Sequence, residues 1–215
     1  MNRILIYTLV SLLSVPLQSC AQKTANKNTT TKTYHNHMTD TITIGGGCFW
    51  CTEAIYQRLN GVLSVTSGYA GGKVKNPTYK EICTGLTDHA ECVQIVFDTS
   101  KVSLIEILQV FFKTHDPTTL NRQGNDVGTQ YRSVIFYANE EQKKIAGEVI
   151  SGLQKSGAFN DPIVTTLEPL TVFYKAEDYH QNYYNENKNS NPYCTFVIVP
   201  KVEKFEKYFA DKLKK

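Results

Sequence analysis

The sequence lacks the features that would indicate a nucleic-acid surface, a membrane span or a repetitive fibre. Its net charge is only +3, and no run of Lys or Arg crosses the middle of the chain, so nothing indicates an extended basic surface for nucleic acid. The longest apolar stretch, Ile4–Val15, is too short to cross a bilayer as a helix. The sequence has no internal repeat, and its 215 residues with 41% hydrophobic content predict one ordinary globular domain with an appendage.

The N-terminus predicts an export signal. Arg3 precedes the apolar stretch Ile4–Val15, and this order is typical of a signal peptide, here residues 1–19. Leu17-Gln18-Ser19-Cys20 resembles a bacterial lipobox, which predicts a lipid on Cys20 after cleavage; a plain secretory signal or an uncleaved anchor is the alternative. We therefore expect an extracytoplasmic protein, either a membrane-anchored bacterial lipoprotein or a periplasmic protein.

Residues 20–40 predict a flexible tether that starts at the lipidated Cys20. The segment is rich in Thr, Asn and Lys and has almost nothing to bury. From Thr41 onward the hydrophobic residues become periodic, so residues 41–215 form the predicted domain.

Helical and strand patterns interleave along this domain without a strict β-α-β order. Glycines 45–47 separate a predicted strand, Thr41–Ile44, from a helix that begins at Phe49, and Asn139 can cap a helix over Glu140–Lys155. The same patterns predict strands at Val62–Ser67, Glu91–Phe97, Arg132–Ala138, Pro162–Leu167, Thr171–Tyr174 and Thr195–Val199, and helices at Leu104–Phe112, Asp178–Asn187 and Val202–Leu213. The prediction is an α+β domain, a two-layer, ferredoxin-like sandwich of a mixed β-sheet with packed helices.

Two cysteines at the start of the first predicted helix indicate chemistry. The N–H groups and the dipole of the helix favour a thiolate at Cys48. The segment Cys48-Phe49-Trp50-Cys51 has the spacing of dithiol redox motifs and of half a zinc site. No second Cys-x-x-Cys or His-x-x-x-His pair lies in the domain to complete a zinc site, so we expect no metal. The bulky Phe-Trp pair fits an apolar socket for a methyl group better than a thioredoxin-like motif.

The segment Gly47-Cys48-Phe49-Trp50, followed by Glu53, resembles the signature of the peptide methionine sulfoxide reductase A family. Further blocks match in the family's order: Gly68-Tyr69-Ala70-Gly71-Gly72, Asn76-Pro77-Thr78-Tyr79, Thr87-Asp88-His89-Ala90-Glu91, residues 122–133 and residues 176–181. The resemblance covers about residues 41–207. It implies an enzyme that reduces methionine-S-sulfoxide, free or in proteins, to methionine.

The resemblance also implies roles for single residues. Cys48 matches the nucleophile that attacks the sulfoxide sulfur, and Glu91 matches the acid that protonates the sulfoxide oxygen; flanking apolar residues would help Glu91 to hold its proton. The matched substrate-binding residues are Tyr79 and Tyr131, whose phenols bond the oxygen, Asp126 on the polar side, and Phe49 and Trp50 around the methyl group.

The attack oxidises Cys48 to a sulfenic acid, which condenses with a second thiol. Many relatives have Gly at the position of Cys51 and place resolving cysteines in a Gly-rich tail, which this chain lacks. We favour Cys51 as the resolving residue, with Cys194 as the alternative because it matches the first tail cysteine. Cys83 and Cys92 are predicted to be buried.

The resemblance implies no cofactor: reducing equivalents come from thioredoxin or another dithiol protein, and no metal, flavin or nicotinamide takes part. We expect a monomer that acts on oxidised proteins and contacts the membrane through its N-terminal lipid. Two alternatives remain. One is a thioredoxin-like disulfide oxidoreductase, and the other is a binding lipoprotein whose cysteines form structural disulfides.

Overall fold

The computed structural model describes residues 38–215, which contain a six-stranded sheet with helices packed on it. The strands are β1 (Thr39–Gly46), β2 (Val62–Ala70), β3 (Ala90–Asp98), β4 (Arg122–Gln123), β5 (Asp126–Val127), β6 (Ser133–Tyr137), β7 (Thr166–Pro169) and β8 (Phe173–Lys175). The sheet order is β7-β6-β1-β3-β2-β8, and only the β6–β7 pair is parallel. Strands β4 and β5 form a separate two-stranded ribbon. The predicted α+β class with a mixed sheet is confirmed.

The α-helices lie between the strands and at the C-terminal end. They are α1 (Phe49–Tyr56), α2 (Tyr79–Ile82), α3 (Leu104–Thr114), α4 (Glu140–Lys155), α5 (Tyr183–Asn187) and α6 (Val199–Tyr208). Short 3-10 turns span Thr129–Tyr131, Asp178–His180 and Ala210–Lys212, and a π-helical turn spans Cys194–Ile198.

Local hydrogen bonds set where the longer helices begin. The Asn139 side chain accepts the backbone N–H of Gln142 at 2.9 Å and caps α4, as predicted. Ser103 and Glu106 form a reciprocal capping box at the start of α3. These caps satisfy N–H groups that have no partner inside the helix.

The central strands carry the core. Ile42 and Ile44 of β1, together with Val93, Ile95 and Phe97 of β3, are fully buried, as expected for strands covered by helices. Helix α1 packs on β2 and β3, and α6 packs on α1 and α3. The first residues of α1 therefore lie at the end of the two central strands, where β1 terminates.

The predicted strand at Thr195–Val199 is wrong, because this segment is helical. Residues 194, 196 and 198 would share one face of a strand. Instead Cys194 and Ile198 are fully buried while Phe196 is 78% exposed, the spacing of one face of a helix. The π-helical turn runs directly into α6, with Pro200 in the first turn of α6, where a missing N–H is tolerated.

The predicted helix Asp178–Asn187 is divided into a 3-10 turn and α5. Asn182 interrupts it with a left-handed backbone, at a φ of 55°, a conformation that Asn adopts more readily than most residues.

The N-terminal predictions fall largely outside the described part of the chain. The signal peptide at 1–19, Cys20 and the tether up to residue 37 lie there, and β1 begins at Thr39, two residues before the predicted boundary at 41. Within residues 38–215, no helix has the length and hydropathy needed to cross a membrane.

Candidate active site

A tight turn between β1 and α1 presents Cys48. Gly47 has a φ of +92°, and a Cβ there would lie 2.5 Å from the Gln123 side chain. A Cβ on Gly46 would lie 2.7 Å from the Phe111 ring. Glycine is therefore required for the turn to pass this close to its neighbours. The turn places Cys48 directly before the first residue of α1.

Cys48 and Cys51 form a buried pair on the first turn of α1. The Cys51 N–H donates to the Cys48 carbonyl at 3.2 Å, and the two thiols are hydrogen-bonded. Burial raises the pKa of Cys48 well above its usual range. The hydrogen bond with Cys48 lowers the pKa of Cys51 to about 7, with help from the positive charge of Lys201. In the substrate-free site, burial therefore opposes the effect of the helix dipole on Cys48.

Glu91 lies beside the cysteine pair in the interior. It is the second residue of β3, pairs with Tyr69 of β2 and is 1% exposed. Its Oε2 accepts the backbone N–H of Phe49 at 3.2 Å. Burial raises the pKa of Glu91 to about 8 although this hydrogen bond opposes the shift. The carboxyl group is therefore mostly protonated at neutral pH and can donate a proton.

Two phenols face the same carboxyl group. Tyr79 begins α2, where its backbone N–H donates to Glu177 Oε1 at 2.8 Å, and Tyr131 ends the 3-10 turn after the β4–β5 ribbon. Burial, followed by the negative charge of Glu91, raises the pKa of both phenols. Both hydroxyls therefore remain neutral hydrogen-bond donors at neutral pH.

An aromatic wall completes the site. The Trp50 ring stacks on Tyr183 with centroids 3.6 Å apart, and its Nε1–H donates to His180 Nδ1 at 3.1 Å. Phe49 is fully buried and packs on Trp50 and on His180. Burial lowers the pKa of His180, so the ring is a neutral acceptor for Trp50. The predicted apolar walls therefore lie together next to Cys48.

The wall is fixed by Glu53, the acidic residue of the sequence signature. Glu53 is 1% exposed, and its carboxylate accepts the backbone N–H groups of Asn182 at 2.8 Å and Tyr183 at 3.2 Å. These bonds join α1 to the start of α5 and hold Tyr183 against Trp50. Glu53 thus acts on the shape of the site through Tyr183.

Sequence reasoning missed Tyr193. Its hydroxyl donates to Asp126 Oδ2 at 2.8 Å and lies in hydrogen-bonding reach of both Cys48 and Cys51. Its ring meets Trp50 edge-on, with centroids 5.9 Å apart. The sequence signal was its position directly before Cys194. Asp126, predicted as a polar wall residue, reaches the cysteine pair through this phenol.

The other cysteines occupy three different environments. Cys194 is buried beside the pair, where burial and the charge of Cys51 raise its pKa. Cys92 is buried, as predicted, and its thiol faces the Gly68 carbonyl at 3.5 Å. The prediction for Cys83 is wrong: it is exposed, because it follows the last residue of the one-turn helix α2 at the surface.

All five cysteines in residues 38–215 are free thiols, which gives no support to the alternative of structural disulfides. In the same residues, no three His, Cys, Asp or Glu side chains form a group that could hold a metal ion.

Comparison with known proteins decides the family. The family model described as peptide methionine sulfoxide reductase matches residues 40–213. The chain belongs to the peptide methionine sulfoxide reductase family. This membership makes the protein a thiol-dependent oxidoreductase that reduces methionine sulfoxide.

Individual methionine sulfoxide reductases are similar in sequence to this chain over most of its length. The enzyme MsrA of Saccharolobus solfataricus is 60% identical over 175 residues, which cover 81% of this chain and 97% of that protein. MsrA of Trichodesmium erythraeum is 58% identical over 176 residues, which cover 82% and 99% of the two chains.

Two solved structures share the fold. Reduced Mxr1 of Saccharomyces cerevisiae has a TM-score of 0.66 at 35% identity, covering 74% of this chain and 91% of that one. Methionine sulfoxide reductase A of Corynebacterium diphtheriae has a TM-score of 0.63 at 38% identity, covering 72% and 77% of the two chains.

Proposed function

We propose that this reductase acts on methionine-S-sulfoxide through Cys48 as nucleophile and Glu91 as acid. The observation that carries the assignment is the buried Glu91 carboxyl, which accepts the backbone N–H of Phe49 directly after Cys48. Burial raises its pKa to about 8, and the charges of Glu91 and of the phenols Tyr79 and Tyr131 interact. A sulfoxide oxygen gathers negative charge as its sulfur is attacked, and these three donors stabilise that charge. Asp126 supports the polar side through Tyr193, and Phe49 and Trp50 receive the methyl group.

The first chemical step transfers the oxygen from substrate to enzyme. Cys48 gives its proton to solvent as substrate binds and its sulfur attacks the sulfoxide sulfur, while Glu91 protonates the oxygen and later regains a proton from solvent. The S–O bond of the substrate breaks as an S–O bond to the Cys48 sulfur forms, so methionine leaves and Cys48 carries a sulfenic acid. The substrate sulfur gains two electrons and Cys48 loses them, so the step balances without a cofactor.

Cys51 resolves the sulfenic acid in this proposal. Its thiolate attacks Cys48 sulfur, the hydroxyl leaves as water after taking a proton, and a Cys48–Cys51 disulfide forms. The support is proximity: Cys51 lies one helical turn after Cys48, with its backbone N–H bonded to the Cys48 carbonyl. The interaction with Cys48 lowers the pKa of Cys51 to about 7, whereas burial raises the pKa of Cys194. The thiolate is the attacking species, so the ionised Cys51 is the better resolver.

The reductant in this proposal is a thioredoxin-like dithiol protein, which reduces the disulfide by exchange. The substrates are oxidised proteins and free methionine sulfoxide. We further propose that the protein works as a monomer outside the cytoplasm, attached to the membrane through a lipid on Cys20; the basis is the lipobox-like sequence that ends at Cys20.

Turnover of the two separated diastereomers of a methionine sulfoxide peptide, with dithiothreitol as reductant, tests the reaction. Reduction of the S form alone, lost in Cys48→Ser, is the expected result. Reduction of insulin disulfides without turnover of either diastereomer would instead indicate the disulfide oxidoreductase.

A second experiment separates the resolving candidates. With thioredoxin as reductant, Cys51→Ser is expected to stop after about one turnover, whereas Cys194→Ser is expected to recycle. The opposite pattern would assign resolution to Cys194. Cys92→Ser is the matched control, because this cysteine is also buried and its thiol bonds the Gly68 carbonyl.

A further inference from the structure

The Tyr193 hydroxyl has one proton and several acceptors around it. It donates to Asp126 Oδ2 at 2.8 Å and reaches both sulfur atoms of the Cys48–Cys51 pair. A phenol can donate one hydrogen bond and accept others. When both cysteines are protonated, the hydroxyl can donate to Asp126 while it accepts an S–H. When Cys51 is ionised, the same proton can stabilise the thiolate only by leaving Asp126.

We propose that Tyr193 is a positioning residue for the resolving step: its hydroxyl transfers its hydrogen bond from Asp126 to Cys51 sulfur and holds the thiolate against Cys48 as the disulfide forms. The proposal rests on the role assigned to Cys51 above. Tyr193 is neither oxidised nor reduced in this step. The bonds that change are those of the resolving reaction: a sulfur–sulfur bond forms, and the S–O bond of the sulfenic acid breaks to release water.

Contacts with neighbouring residues hold the Tyr193 hydroxyl close to Asp126 and the cysteine pair. Its ring meets Trp50 edge-on, and its backbone N–H donates to Asn191 Oδ1 at 2.9 Å. Asn191 Nδ2 in turn donates to Tyr183 Oη at 2.8 Å. The phenol therefore approaches the cysteines from the C-terminal segment, which is itself tied to the aromatic wall.

The charged and titratable groups around the Cys51 sulfur act in opposite directions. Cys48, Lys201 and Tyr193 favour its ionised form, and Asp126 opposes it. Glu91 and Cys194 interact electrostatically with Cys51 as well. Removing the phenol hydroxyl and removing the Asp126 charge should therefore shift the ionisation of Cys51 in opposite directions, an effect that loss of packing alone does not produce.

Single-turnover chemistry on Tyr193→Phe tests the proposal, since this variant keeps the ring on Trp50. The enzyme is mixed with one equivalent of a methionine-S-sulfoxide peptide without reductant. Methionine is measured for the first step, and free thiols and dimedone-trapped sulfenic acid are measured for the second. We expect the disulfide to form roughly ten- to a hundredfold more slowly, the range for loss of a hydrogen bond to a charged group. Methionine formation should slow by a smaller factor, because the hydroxyl also interacts with Cys48.

The pH dependence of disulfide formation is the second readout. Tyr193→Phe should move its midpoint to higher pH, and Asp126→Asn should move it to lower pH. Tyr208→Phe, on the exposed end of α6, is the matched control and should change neither step.

Unchanged disulfide formation in Tyr193→Phe would overturn the inference. Equal slowing of both steps without the opposed pH shifts would also overturn it, because that pattern indicates a general loss of site structure. Failure of the wild type to form methionine would be a failure of the proposed function instead, so the two outcomes are distinguishable.

Discussion

The backbone N–H of Phe49 donates to Glu91 Oε2 at 3.2 Å, so the first residue of α1 is bonded to the acid on β3. This bond fixes Glu91 next to the turn that presents Cys48. It favours the charged carboxylate, yet burial is stronger and raises the pKa of Glu91 to about 8. The hydrogen bond with Phe49 thus sets the position of Glu91, whereas burial keeps its carboxyl group protonated.

Glu91→Gln should reduce the rate of methionine formation in the first turnover by roughly 10²- to 10⁴-fold, the usual contribution of general acid catalysis. Because Glu91 must be protonated to act, the wild-type rate should decline as the pH rises through about 8. The variant should lack this alkaline decline. Rapid-quench measurement of methionine between mildly acid and alkaline pH checks both effects, and a wild-type rate that is flat across pH 8 would contradict the role of Glu91.

The same carboxyl group affects stability. Its pKa in the folded protein, about 8, is above the ordinary value of 4.5. The folded state therefore binds the extra proton, and this contribution is present at low pH and lost as the pH rises through 8. Glu91→Gln should lose less stability than the wild type between neutral pH and pH 9. Denaturant unfolding at a series of pH values measures this difference, and parallel curves for the two proteins would disprove it.

Glu53→Gln should destabilise the protein by about 1 to 3 kcal/mol, because it weakens two hydrogen bonds to a buried carboxylate. The factor by which it raises KM should also exceed the factor by which it lowers the rate of sulfenic acid formation, since Tyr183 no longer holds Trp50 in place. Denaturant unfolding and steady-state kinetics measure the two effects. Glu203→Gln on the exposed side of α6 is the control, and equal behaviour of the two variants would refute the role of Glu53.

Gly47→Ala should destabilise the protein and disable the site. The left-handed backbone alone costs about 1 to 2 kcal/mol for a residue with a Cβ, and the new methyl group would collide with Gln123. Gly152→Ala in α4 is the matched control, because a Cβ there meets nothing within 4 Å. It should stabilise the protein by about 0.5 to 1 kcal/mol. Thermal unfolding of both variants provides the comparison.

Local signals predicted the turn at Cys48 and the start of α4. Three successive glycines after an apolar strand leave few conformations for residues 45–47, and Asn139 precedes a long amphipathic helix. Both features depend on neighbouring residues only, so they are readable from the sequence. The signature match likewise indicated Cys48, Glu91, Tyr79 and Tyr131. In the structure Glu91 lies beside Cys48, and the two phenols face its carboxyl group.

Features that depend on residues far apart in the sequence could not be predicted in this way. The bond between Tyr193 and Asp126 joins residues 67 positions apart, and no local pattern encodes such a pairing. The apolar segment 195–199 fits a strand and a helix equally well by hydrophobicity, whereas the structure has a helical backbone that leaves Phe196 exposed. The lowered pKa of Cys51 depends first on its hydrogen bond with Cys48 and also on the charge of Lys201, a residue 150 positions away.

In the proposed mechanism Cys48 takes the oxygen and Cys51 then closes the disulfide. The most direct test is one turnover of the S diastereomer without reductant, with thiol counting and mass-spectrometric mapping of the product. We expect one methionine and a Cys48–Cys51 disulfide in the wild type, one methionine and a trapped sulfenic acid in Cys51→Ser, and no methionine in Cys48→Ser. Methionine from Cys48→Ser, or a disulfide in the wild type that excludes Cys51, would contradict it.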